Sequence, residues 1–232
     1  PKFFWDASAE SLGIGTSSPA SALDVTGTVT ADGLTVDGVI DVTSTTSLST
    51  NLQNTGGSAL LPTYSFNGSA DVGMFCPSIN QLAFATSQVE RMRIDSAGRV
   101  TMPYQPAFSA WKNNNTGYSS ATAITFANTI INQGSHWNGT RFTAPVAGLY
   151  HFSFQGVTGN ITNYFYSYLA INGTQQQQMF FHTPQSVNNF TSMAWSGVVY
   201  LNASDYVEAI QQYNGGSPYF EGRCGFSGYL IG

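Results

Sequence analysis

Between residues 104 and 232, short apolar runs are separated by turn residues about every 8 to 12 positions, which confines this segment to all-β folds with short connections. The pattern predicts strands at 107–111, 123–131, 141–143, 148–157, 164–171, 178–182, 191–201, 206–213, 219–221 and 225–231. Asn138-Gly139, Asn172-Gly173 and Asn214-Gly215-Gly216 supply turns between them. In Tyr150-His-Phe-Ser-Phe154 the alternate residues are aromatic, so one face of that strand is predicted to lie in a core, with His151 read as a satisfied core histidine.

Core-forming material is unevenly distributed. Of 32 aromatic residues, 25 fall in residues 104–232 and 7 in residues 1–103, so only the C-terminal segment is expected to build a large core of its own. Charge is scarce, at 8% of residues, while Ser, Thr and Asn make up 67 of 232 positions. These residues favour turns and strands over long helices. Seven basic residues, scattered along the chain, cannot track a phosphate backbone, which argues against nucleic-acid binding. No apolar run reaches the roughly 18 residues needed to cross a bilayer as a helix. Two cysteines, Cys76 and Cys224, lie in no metal-binding spacing and are read as unpaired packing residues. The start at Pro1, with neither Met nor signal peptide, suggests the C-terminal piece of a longer chain.

The N-terminal segment is acidic, with six carboxylates against Lys2 in residues 1–60. From Ser21 to Ser44, apolar residues alternate with polar ones between Thr26-Gly27, Asp32-Gly33 and Asp37-Gly38. The resulting row of Leu23, Val25, Val29, Leu34, Val36, Val39 and Val42 sits on ribbons too short to bury it within one chain, so further copies must cover it. Residues 43–57 read as a Ser/Thr-rich connector, with Leu48 and Leu52 spaced for one helical turn. Residues 58–103 read as a β-hairpin neck with runs at 64–66, 73–75 and 82–85 and a turn at Ala97-Gly98. Asp95–Pro103 echoes Ala7–Pro19, as if one hairpin type were used twice. Three segments follow: 1–57, an intertwined β shaft and connector; 58–103, a neck; and 104–232, a knob.

Asn132–Phe154 (N-Q-G-S-H-W-N-G-T-R-F-T-A-P-V-A-G-L-Y-H-F-S-F) and the ending Phe226–Gly232 (F-S-G-Y-L-I-G) resemble the C1q and tumour-necrosis-factor-like family. Tyr168–Gly173 and Leu201–Val207 fall between them in the family's order. The resemblance implies a ten-stranded jelly-roll knob that assembles as a threefold trimer. Phe3–Pro19, Asp71–Phe75 and Asn80–Val100 resemble modules of bacterial-virus tail fibres, particularly those of cyanobacterial hosts. The expected fold is therefore an all-β chain: a jelly-roll knob on an N-terminal β-rich trimeric shaft. No collagen-like Gly-X-Y stalk is present, which argues against a complement-type role.

Titratable groups for catalysis are few in the knob. Asp205 and Glu208 are the nearest pair, but three residues apart on a strand they face opposite ways, and Asp205 reads better as a turn residue. No His-x-His or carboxylate cluster suggests a metal, and no cofactor or bound ion is expected. Receptor contacts are expected where Asn amides sit beside aromatic rings, because amides hydrogen-bond sugar hydroxyls and rings cover the apolar faces of pyranoses. Asn114 and Tyr118, and Tyr213, Asn214 and Tyr219, have that composition; His136 and Trp137 in a Gly/Asn loop are a third candidate. Gln175–Gln178 reads as a polar strand edge or a contact surface, and seven Asn-x-Ser/Thr triplets decide nothing in so Ser-, Thr- and Asn-rich a chain.

The expected function is a virion tail fibre, located outside the cell. In this reading a homotrimer binds a host-cell surface receptor, either a glycan or an outer-membrane protein, without turnover. It would join other tail proteins through what precedes Pro1. A structural or decoration fibre of the capsid is the alternative. A secreted signalling trimer and a capsule-degrading spike are further readings.

Overall fold

A computed structural model describes residues 3–32, 35–37, 56–66, 68–112, 116–117, 121–183 and 190–232. Leu34, Val39, Val42, Leu48, Leu52, Asn114 and Tyr118 lie outside the described residues. The chain is all-β and divides into two compact units, residues 1–53 and 54–232. No helix among the described residues is long and apolar enough to cross a membrane.

In the first unit, β1 (Phe3–Asp6) and β2 (Ser11–Ile14) form an antiparallel hairpin, and β3 (Leu23–Val25) pairs with β2 in parallel. The Asp6 carboxylate closes the hairpin by accepting from the Ser8 amide at 2.9 Å and the Ser8 hydroxyl at 2.6 Å. The expected series of ribbons from residue 21 is not seen: among the described residues after Val25, up to residue 37, none is in a strand. Leu23 finds a partner in β2 because the chain runs back beside it, with Thr26 N–H donating to Ile14 O. Phe3, Trp5, Leu23 and Val29 are all exposed.

The second unit opens with a five-stranded antiparallel meander: β4 (Tyr64–Phe66), β5 (Ser69–Phe75), β6 (Leu82–Thr86), β7 (Val89–Ile94) and β8 (Val100–Thr101). Its own core is small, with Phe75, Ala83 and Ala85 against Ala59. The turn after β7 is tied by Asp95, whose carboxylate accepts from the Ala97 and Arg99 amides, with Gly98 at φ 81°. Tyr64, Phe66, Val72, Met74 and Phe84 line an open apolar hollow of about 420 Å³ on the sheet. Cys76 is exposed, contrary to the expectation of a packing residue, and its thiol bonds to Ser78 O; Cys224 is buried.

The remaining strands make a two-sheet sandwich: β9 (Ala107–Trp111), β10 (Thr116–Gly117), β11 (Thr122–Ala123), β12 (Asn128–Gln133), β13 (Arg141–Thr143), β14 (Gly148–Ile171), β15 (Thr174–Thr183), β16 (Thr191–Leu201), β17 (Tyr206–Phe220) and β18 (Gly225–Leu230). The first sheet runs β12, β9, β18, the first half of β14, then β16. In the second, β17 pairs with β10, β11 and β13 on one edge and with the second half of β14 on the other, followed by β15. Strand β14 therefore belongs to both sheets. It crosses between them at Asn160, which has φ 59° and falls within the register shift between Gly159 and Ile161, with a second shift following between Ile161 and Tyr164. Asn tolerates this left-handed conformation, and a bulge bends a strand without ending it. The breaks predicted at 158–163 and 214–218 are accordingly bends inside long strands; Gly215, at φ 81°, serves β17 in the same way.

Between the sheets lies an aromatic core of Phe108, Phe126, Trp137, Phe142, Tyr150, Phe152, Phe154, Phe165, Trp195, Phe220 and Phe226. Its polar atoms are mostly paired: Trp195 Nε1 donates to Ser167 Oγ at 3.0 Å, and the Tyr150 hydroxyl to Val146 O at 2.8 Å. Fully burying side chains of this size contributes roughly 1.5–3 kcal/mol each, which makes this sandwich the most stable part of the chain.

Candidate functional site

The first sheet has a second face, turned away from the core. Alternation puts Tyr150, Phe152 and Phe154 inside and Leu149, His151, Ser153 and Gln155 outside. Pairing between strands arranges these outer residues in rows. Tyr200 stands opposite Leu149. The next row is Val198, His151, Tyr229 and Ala107, followed by Ser196, Ser153, Ser227 and Ser109, then Ala194, Gln155, Gly225 and Trp111. His151 is thus outside the core, contrary to the sequence expectation, with its ring centroid 5.2 Å from that of Tyr229.

The upper rows are greasy and uncovered. Leu149 is 46%, Val198 50%, Tyr200 60% and Tyr229 50% exposed, with Ile231 beside them at 49%. Five such side chains on one sheet face form a contiguous patch of the kind that marks a protein contact surface. Below them Ser153, Ser227 and Ser109 of the serine row form the floor of a hollow of about 300 Å³ walled by Trp111 and Ile130. A neighbouring hollow of about 480 Å³ is lined by Gln155, Val157, Phe181, Ser192, Met193 and Arg223.

The residues expected to contact a receptor do not converge. Trp137 is 4% exposed and stacks on Phe108 at 4.5 Å in the core, so its ring offers no surface. His136 is half-buried at the same end, edge-on to Phe142. Phe142 pairs with Val207, whereas Tyr219 lies 12 residues further along β17, roughly 40 Å of strand away. Tyr213 packs against the aromatic core. Asn214 is exposed, but it is a strand residue paired with Tyr164 and not part of a loop. Tyr219 is half-buried, edge-on to Phe190 at 6.4 Å.

Nor do the titratable groups assemble. Asp205 accepts from Asn172 Nδ2 at 2.7 Å and from the Asn202 amide at 2.7 Å, and these bonds, that from Asn172 foremost, hold its carboxyl below the ordinary aspartate value. Glu208 pairs with Arg141 at 3.0 Å, and that guanidinium lies over the Tyr206 ring at 3.6 Å. Both carboxylates thus brace the end of the sandwich where β13 meets β17. His151 and His182 lie on outer faces of different sheets, His182 in strand β15. Among the described residues, no group of three or more His, Cys, Asp or Glu is placed to hold a metal ion.

The family model for the C1q domain matches residues 107–231, which is 125 of the 232 positions. The chain belongs to the C1q domain family. Among solved structures, the globular domain of zebrafish complement 1qA protein is 19% identical, covering 55% of this chain and 98% of that one, with a TM-score of 0.45. Murine APRIL is 12% identical, covering 55% and 99%, with a TM-score of 0.44. Eiger TNF from S. frugiperda is 8% identical, covering 55% and 93%, also at 0.44. Curated proteins provide no match. The C1q domain so matched begins at β9 and contains both sheets of the sandwich, so the greasy rows are a surface of that domain.

Proposed function

We propose that this protein is a homotrimeric tail-fibre protein of a bacterial virus: its C1q domain adheres to a receptor on the host surface, and residues 1–103 serve as the stem of the same trimer. The observation that carries the assembly is the uncovered row of Leu149, Val198, Tyr200, Tyr229 and Ile231 on one sheet of the C1q domain. Two further exposed apolar surfaces, around Phe66 and Phe84 in the neck and around Trp5 and Leu23 near the N-terminus, require cover from additional chains in the same way. The assignment to a virion rests on the fibre-like motifs Phe3–Pro19, Asp71–Phe75 and Asn80–Val100. Binding is non-enzymatic, because the carboxylates of Asp205 and Glu208 are committed to structural bonds. Three binding domains on one particle turn weak single contacts into firm attachment.

The test is competition. Purified trimer of residues 1–232, incubated with candidate host bacteria before phage is added, is expected to coat the cells and reduce plaque counts. A trimer that neither coats cells nor protects them contradicts the adhesin and leaves a decoration fibre without a receptor.

A further inference from the structure

The second sheet carries an aromatic ladder on its outer face. Phe165, Ser167 and Leu169 of β14 are buried, so Tyr164 and Tyr166 lie on the opposite side of the strand. Tyr166 pairs across to His182 of β15 and stacks on it, with centroids 4.5 Å apart and planes 26° apart. The Tyr166 ring also lies 4.7 Å from Tyr164 and 5.2 Å from Phe180. On the other flank, pairing with β17 sets Gln212 opposite Tyr166 and Asn214 opposite Tyr164. Four rings thus stand in one group, bordered by two carboxamides. These rows contain no charged residue; the nearest in the register is Glu208, opposite Ala170, and it is held by Arg141.

We propose that this ladder is a binding site for a neutral carbohydrate. Phenol hydroxyls, an imidazole and two amides offer donors and acceptors suited to sugar hydroxyls. The rings give the apolar C–H faces of a pyranose a surface to cover. A charged ligand would find no opposite charge in these rows. A second copy of the chain has the greasier first sheet to pack on, whereas within the ladder only Phe180, at 37%, is a large apolar side chain so exposed. The inference rests on the reading of the C1q domain as a binding module and names the chemistry of its ligand.

The experiment uses the full chain passed over immobilised dextran, galactan and mannan, with alginate as an anionic control. Retention on at least one neutral polymer is expected, weakened tenfold or more in Tyr166→Ala and in Gln212→Ala. His182→Ala, at the exposed side of the stack, keeps the test readable should Tyr166→Ala fail to fold. Absence of retention on all three neutral polymers, retention on alginate alone, or retention equal in the variants and the parent overturns the site. Phage competition separates the two proposals: a chain that blocks infection without binding neutral polymers refutes the ladder alone. Ladder-dependent sugar binding without any effect on infection supports the ladder and refutes the viral adhesin.

Discussion

Gly228 shows how closely the C1q domain is packed. It lies opposite Phe152 on one side and Phe108 on the other, and a Cβ there would overlap the Phe152 ring and approach Phe108 Cε1 to 2.9 Å. Gly228→Ala is expected to destabilise the domain by about 1–3 kcal/mol, read by thermal or denaturant unfolding, because neither ring has room to retreat. Asp205 makes a pH-dependent contribution. Its carboxyl titrates lower when folded than when unfolded, so its stabilisation is present above the unfolded value of about 3.9 and is lost as pH falls through the lower folded value. Melting temperatures measured from pH 6 downward should fall less steeply in Asp205→Ala than in the parent. Cys224, whose thiol is pushed up to about 11 chiefly by burial, should resist alkylation at pH 8 while exposed Cys76 reacts.

The elements show which parts of the fold are written locally. Strands 107–111, 141–143 and 191–201 were legible residue for residue, since period-two alternation and flanking turn residues agree there. Gly215 was misread as a turn, and the stretch around Asn160 was left between strands, because a residue at positive φ has the same signature in a loop and in a bulge; only pairing on both sides separates the two. Asn160→Val, which puts a β-branched side chain at φ 59°, should cost about 1–3 kcal/mol, while Asn160→Gly should be better tolerated. The candidate site was less legible than the fold. Trp137 beside Asn and Gly looks like a surface ring, yet its burial depends on Phe108, which is 29 positions earlier. The ladder of Tyr164, Tyr166, Phe180 and His182 was missed because cross-strand register, which brings it together, has no trace in the composition of either strand.

For the molecule as a whole, the account turns on the exposed face of the first sheet. Covering the open half of Leu149, Val198, Tyr200, Tyr229 and Ile231 would contribute roughly 1 kcal/mol for each side chain in each chain. The double variant Val198→Asp, Tyr200→Glu puts two like charges on that face and is expected to dissociate the assembly while leaving the inward-facing core of the sandwich intact. The most direct measurement is the mass of the 232-residue chain in solution at micromolar concentration, by light scattering after gel filtration. The account predicts a particle of three times 24.8 kDa, reduced in the double variant. A well-folded parent protein at 24.8 kDa would contradict it.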